Sequence, residues 1–281
     1  MADYKIIADS SCELPEQYLN DERFDLVPFR LEIDGVPIRD TKGINTKWLL
    51  EKIVSSKTFT SSACPSPDVF YNSIARAEAE RIYLITISSA ISGCYLSAMI
   101  AKKFYEDAHD DKKIFVIDSK SVSGAESQLA MLAYDLEEQQ LEWEEIKKRL
   151  VQSRDNMHTF MMFDNFSAVC KNIKFPKLKE VVSKAGNIKS IFVGDKGARF
   201  SAELTCIKES WNQLVDNIAS SVKGATEQTR IVITHCNNLI GAEKLRDMLM
   251  EKTGIKNFVI MSMSGLSSIF TDNGGIIVSV M

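Results

Sequence analysis

The sequence predicts a two-domain α/β protein, and three observations carry that prediction. Segments with strand character alternate with helical ones through the first half of the chain. Three short apolar runs there end in hydroxyl clusters: Tyr4 to Ala8 before Asp9-Ser10-Ser11, Ile82 to Ile87 before Ser88-Ser89, and Ile114 to Ile117 before Asp118-Ser119. Near residue 155 the pattern changes to shorter apolar pieces separated by Gly, Asn and Lys. Parallel strands place their carboxyl ends on one edge, and ligands of open α/β sheets bind outside that edge where the strand order reverses. The expected architecture is a Rossmann-like parallel-sheet domain over residues 1–154 and a mixed α/β domain over residues 155–281.

Taken in order, a strand over 4–8 is followed by a β-rich stretch from Phe24 to Ile33. A turn at Asp34-Gly35 and a polar loop to about Thr46 come next, then a helix over about 47–55. Ser66-Pro67-Asp68 is a helix start, with a capping hydroxyl, proline at the first helical position and an acid in the first turn; its helix is expected to reach about Glu80. The strand at 82–87 feeds a helix from near Ser92 to about Tyr105. After the strand at 114–117, Ser123 and Glu126 have capping-box spacing, and Leu129, Leu132, Ala133 and Leu136 fall on one helical face. Helical polarity continues from Glu142 to Arg154. In the second domain Phe160 to Phe163 and Ile191 to Val193 read as strands. Leu204, Ile207, Trp211, Leu214, Val215, Ile218 and Val222 line one face of a helix. A strand at 231–234, a helix over about 240–252 and strands at 258–262 and 276–280 complete the chain.

Composition narrows the function. The 281 residues are 45% hydrophobic and 26% charged, enough to bury a sizeable core. The formal net charge of −4 provides no basic field for nucleic acid or an anionic membrane surface. No apolar stretch approaches the roughly 20 residues of a membrane span, and the N-terminus lacks the apolar segment of a signal peptide. The cysteines (12, 64, 94, 170, 206 and 236) contain no C-x-x-C pair, which fits reduced thiols in a cytoplasmic protein. The histidines (109, 158 and 235) have no metal-ligand spacing, so neither a metal nor another cofactor is expected.

The candidate chemistry lies in the serine turns. Ser92-Gly93 stands at a strand-to-helix junction, where free N–H groups and the helix dipole bind a carboxylate or phosphate without a cationic side chain. Gly93 would let a ligand approach the backbone closely. The plainer reading makes Ser92 an ordinary N-cap. Ser61-Ser62-Ala63-Cys64-Pro65-Ser66-Pro67 is a stiff loop that suits either a binding loop or a connector.

Together these segments resemble a known family. Asp9-Ser10-Ser11 with Leu14-Pro15, Pro65-Ser66-Pro67 with Phe70, Ser88-Ser89-x-x-Ser92-Gly93-x-Tyr95-x-Ser97-Ala98, and Ile117-Asp118-Ser119-x-x-Val122-Ser123-Gly124 occur in the order of the DegV family. The resemblance implies a protein that buries one long-chain fatty acid in a tunnel between its two domains. Several members serve as the acyl-binding subunit of a bacterial fatty acid kinase, whose catalytic partner phosphorylates the bound carboxylate with ATP. By that resemblance Ser62 holds the fatty-acid carboxylate, where the family has threonine. Ser92 and the Gly93 backbone hold its other oxygen, and Cys94 replaces a threonine. The family's G-G-R-I segment has no counterpart in Phe163 to Phe175, while Lys196-Gly197-Ala198-Arg199 resembles a later basic motif. Arg199 becomes a candidate for facing the acyl phosphate or the partner, beside its reading as a solvated surface arginine. The family's histidine before G-P-G falls at Asp272 or, with a gap, at Asn273. Asp272 there would set a second carboxylate against the ligand's own.

Two other classes compete. A serine hydrolase needs a base in reach of the nucleophile and a third residue to orient it, yet no G-x-S-x-G occurs, and His235 reads better as a structural histidine at a strand end. A phosphatase-like or nucleotide-binding site, suggested by Asp9 and Asp118, would want a P-loop or G-x-G-x-x-G, and neither is present; the aspartates read as turn caps. A binding protein of the same fold with another amphipathic ligand is the nearer alternative.

Overall fold

The computed structural model describes residues 3–56, 58, 60–163, 190–194, 205–206, 210–222, 224, 226 and 229–281. The strands read at the start of the chain form one parallel sheet. It comprises β1 (Tyr4–Asp9), β2 (Phe24–Val27), β6 (Arg81–Thr86) and β7 (Lys113–Asp118), in the order β2-β1-β6-β7. Alternation along the strands sends side chains to opposite faces. Ile82 and Leu84 join the core beneath α3 (Pro67–Arg76) and α4 (Cys94–Ala108), with Phe70, Ile74, Ala98 and Ala101. Tyr83 and Ile85 face α5 (Gly124–Glu138) and α6 (Trp143–Asn156), meeting Leu129, Ala133 and Leu136. A small antiparallel sheet, β4 (Val36–Arg39), β3 (Arg30–Ile33) and β5 (Ser61–Ala63), lies beside the short helices α1 (Glu16–Leu19) and α2 (Thr46–Ser55) in the chain.

The second sheet has the order β10-β9-β8-β13-β11-β12, with β8 (His158–Phe163), β9 (Ser190–Gly194), β10 (Thr205–Cys206), β11 (Ile231–His235), β12 (Phe258–Ser262) and β13 (Ile276–Val280). Only β11 and β12 pair in parallel among the described strands of this sheet. One face is covered by α7 (Ser210–Ser221) and α8 (Leu239–Thr253), through Leu214, Val215, Ile218, Ala242, Leu245 and Leu249. The other face receives α5, where Met131 packs on Val232 and the Gln128 amide donates to Arg230 O and Ser279 O (2.8 and 3.2 Å). Helix α5 is thus wedged between the two sheets. A last short helix, α9 (Gly265–Thr271), crosses back, and its Leu266 and Ile269 complete the core beside Leu31 and Leu49.

Several expectations are corrected. The loop expected to run on to Thr46 contains β4, which turns at Asp34-Gly35 (φ +51° and +77°) to pair with β3. The helix after Ser66 ends at Arg76 rather than Glu80, because Glu80 O is drawn into the sheet by the Lys113 amide (2.7 Å). The helical periodicity read from Leu204 is broken by β10, whose Thr205 and Cys206 pair with Ile191 and Ser190, so α7 starts at Ser210. Leu204 and Ile207 lie outside the described residues. Helix α9 had no counterpart in the sequence reading, being too short for its period to show.

Candidate functional site

The strand order of the first sheet reverses between β1 and β6, and the serine turns leave the carboxyl edge at that point. Asp9 closes β1 and is fully buried. Its Oδ1 accepts from Ser11 N and Ser11 Oγ (3.0 and 2.6 Å), and its Oδ2 accepts from Ile87 N (2.7 Å) and the Cys94 thiol (3.2 Å). The carboxylate thereby ties the end of β1 to the end of β6 and the first turn of α4. Asp118 works similarly, accepting from Ser89 N and Oγ and from Lys120 N (3.0, 2.5 and 2.9 Å). Both aspartates are turn caps, as the sequence suggests.

Helix α4 begins at Cys94, two residues beyond the expected start, with Gly93 as its N-cap and no capping side chain. Ser92 Oγ accepts from Cys94 N (3.2 Å). Gly93 is exposed and Ser92 half-buried, so the amides of Tyr95 and Leu96 head a helix whose end faces outward. The preceding loop docks here, with Ser97 Oγ donating to Pro65 O (2.6 Å). A Cβ on Gly93 would stand 3.6 Å from Cys64 Sγ. Burial pushes the Cys64 and Cys94 thiols up, and the Asp9 charge adds to both shifts, so each stays protonated. Ser62 is exposed on β5 opposite Leu31, two residues from Cys64.

The structure therefore gathers the Ser62 strand, Cys64, Ser92 and Gly93 around one helix end. Asp272 ends α9 at φ +60°, its Oδ1 accepting from Asn273 N (2.7 Å), and its charge acts on the buried Cys236 thiol. Asn273 accepts from Asn237 Nδ2 (3.1 Å). Arg199 lies outside the described residues. His235 ends β11, and its Nδ1 accepts from Asn238 N (3.2 Å), which spends the nitrogen an orienting carboxylate would need.

Beneath the helix end Asp9 joins three further buried carboxyls, Glu126, Glu13 and Asp40, whose convergence the sequence does not show. Ser11 Oγ also meets Glu126 Oε1 (2.7 Å), which accepts from Ser123 N (3.1 Å) in the capping box. Glu13 accepts from Ser123 Oγ and Ser264 N (2.7 and 3.0 Å). Asp40 accepts from Ser10 Oγ and from the first amides of α9, Gly265 N and Leu266 N (2.8, 2.8 and 3.0 Å). Desolvation raises all four carboxyl pKa values, Glu13 to about 7. The Ser123–Glu126 spacing was visible as a cap, but nothing local marks Asp40, whose partners lie 30, 225 and 226 residues away.

Fold and site define a class: an α/β protein of two main sheets and a small third one, with a glycine-capped, hydroxyl-rich helix end at the switch point of a parallel sheet. The model of the DegV family, described as "Uncharacterised protein, DegV family", matches residues 3–281, and the chain belongs to that family. A DegV domain-containing protein of Streptococcus gordonii is 28% identical over 280 residues, covering 98% of this chain and 97% of the relative. Two solved structures each align over 99% of both chains. One is the DegV family protein of Ruminococcus gnavus refined with vaccenic acid (TM-score 0.85, 28% identity). The other is the fatty acid kinase (Fak) B3 protein of Streptococcus pneumoniae loaded with linoleic acid (TM-score 0.86, 27% identity).

Proposed function

We propose that this protein binds one long-chain fatty acid, with the acyl chain in a tunnel between a domain of residues 1–154 and one of residues 155–281. Its carboxylate is held at Ser62, Ser92 and the Gly93 backbone. The observation that carries the reading is the full-length likeness to the fatty-acid-loaded structures above, on a chain that keeps an open helix N-terminus at the switch point. Burying about 15 methylenes at roughly 0.8 kcal/mol each supplies a large gross driving force, which ordering costs then reduce. The polar end supplies orientation.

In this reading the protein catalyses nothing and needs no cofactor. A fatty acid kinase partner brings ATP and metal to the presented carboxylate, and Arg199 faces the acyl phosphate or that partner. The setting is cytoplasmic; among the described residues no helix is long and apolar enough to cross a membrane. Native mass spectrometry of the purified protein, followed by organic extraction, tests the reading. A stoichiometric fatty acid is expected. A stoichiometric non-acid ligand would favour another amphipathic cargo, and an esterase activity lost with Ser92 would overturn the binding-protein reading.

A further inference from the structure

We infer that the site takes up its ligand's carboxyl group together with one proton, and that Asp9 is the residue that imposes this. The inference rests on the fatty-acid reading above. Ser11 Oγ stands 2.6 Å from Asp9 Oδ1 and 2.7 Å from Glu126 Oε1. A hydroxyl donates one proton, so two hydrogen bonds among these three oxygens require a second proton on one of the carboxyls. Asp9 accepts two backbone amides and a thiol besides Ser11, the pattern that holds a carboxylate ionised. Glu126 has one backbone donor, and its Oε2 is buried with no partner. Glu126 is therefore the acid and Asp9 the anion.

Among the described residues that anion has no cation bonded to it. The ionisable groups facing it are Cys12 on the following turn, Asp40, Cys64 on the docked loop, Cys94 on α4 and Glu126 on α5, with Glu13 behind Glu126. Among the described residues no Lys, Arg or His bonds to Asp9, Glu13, Asp40 or Glu126. Asp9 is also close to the proposed seat, since the thiol it binds belongs to Cys94, whose amide is bonded to Ser92. A carboxylate arriving at Ser92–Gly93 meets a like charge behind a single side chain. Asp9 is fully buried, so water screens it poorly from the arriving charge, and the two do not both stay ionised. One proton is bound with the ligand, whether it rests on the ligand or on Asp9.

The test is calorimetric titration of the intact wild-type protein, stripped of lipid, with an 18-carbon fatty acid in pairs of buffers of equal pH and different ionisation enthalpy. The expected result is uptake of about one proton per acid bound at pH 8, with affinity falling about tenfold per pH unit above that. The corresponding fatty amide, which cannot ionise, is expected to bind with no pH dependence. Asp9→Asn is expected to abolish the uptake and flatten the acid's pH profile; if that variant does not fold, the wild-type slope decides alone. Binding of the acid without proton uptake overturns the inference and leaves the fatty-acid reading standing. Failure of the folded protein to bind the acid at any pH overturns that reading and this inference with it.

Discussion

The chain uses the same local signal twice, Ser92-Gly93 before α4 and Ser123-Gly124 before α5, each after a strand of the parallel sheet, and the two turns have opposite fates. At α5 the turn is sealed. Ser123 adopts φ +57°, Glu126 returns to its amide, and its hydroxyl is spent on Glu13 and Thr234. Gly124 is buried against the second sheet, where a Cβ would lie 2.7 Å from Val232 Cγ1 and 3.3 Å from Thr234 Cγ2. At α4 the turn is open, with Gly93 exposed and, among the described residues, only Cys64 near its Cβ position. Glycine serves close packing in one turn and sits at an open surface in the other. What separates them is which face of the sheet the second domain covers, a fact of tertiary structure that six residues of local sequence do not contain.

The contrast breaks most readily at Gly124. Gly124→Ala must move Val232 or shift α5, and a loss of about 2–3 kcal/mol is expected from urea unfolding, the upper range for overpacking. Removing a link between the halves tests the same packing. Asp40→Ala leaves Ser10 Oγ and two α9 amides without their acceptor, and a cost of about 2 kcal/mol is expected in the same measurement.

These partners also show how far sequence reading reaches. The parallel strands and the helices from α2 to α6 were legible because each carries its own period, cap or turn residue. The ends of α3 and α7 were not, because pairing partners outside the segment set them, and α9 is held mainly by Asp40 and the first core. At the site, Ser62, Ser92 and Gly93 could be named from motif order. Glu13 and Asp40 could not, since a carboxyl with no cap or turn spacing looks the same on a surface.

Those carboxyls invert the usual effect of pH. A buried acid whose folded pKa lies above its unfolded value contributes most below the unfolded pKa, and that contribution is lost as pH rises through the folded one. For Glu13, raised to about 7 from 4.5, stability falls between roughly pH 4.5 and 7, and the shifts of Asp9, Asp40 and Glu126 act in the same direction. The urea midpoint is expected to fall from pH 5 to pH 8, and Glu126→Gln to flatten part of that slope. A midpoint rising over this interval would contradict the burial argument.

The smallest effect on stability is expected at Gly93. Gly93→Ala meets Cys64 at ordinary contact distance, and its unfolding free energy is expected to stay within about 1 kcal/mol of wild type, as for an exchange at an N-cap. Its fatty-acid affinity is nonetheless expected to drop, because the added methyl would stand where the proposed site brings the carboxylate to the backbone.

The most direct measurement compares fatty-acid affinity in Ser92→Ala and in wild type, with the melting temperature of each recorded alongside. A charge-assisted hydrogen bond is worth roughly 1.5–3 kcal/mol, so the account expects at least about a tenfold loss of affinity at a nearly unchanged melting temperature. A folded Ser92→Ala protein that binds as tightly as wild type would show that the open helix end of α4 is not where the carboxylate sits.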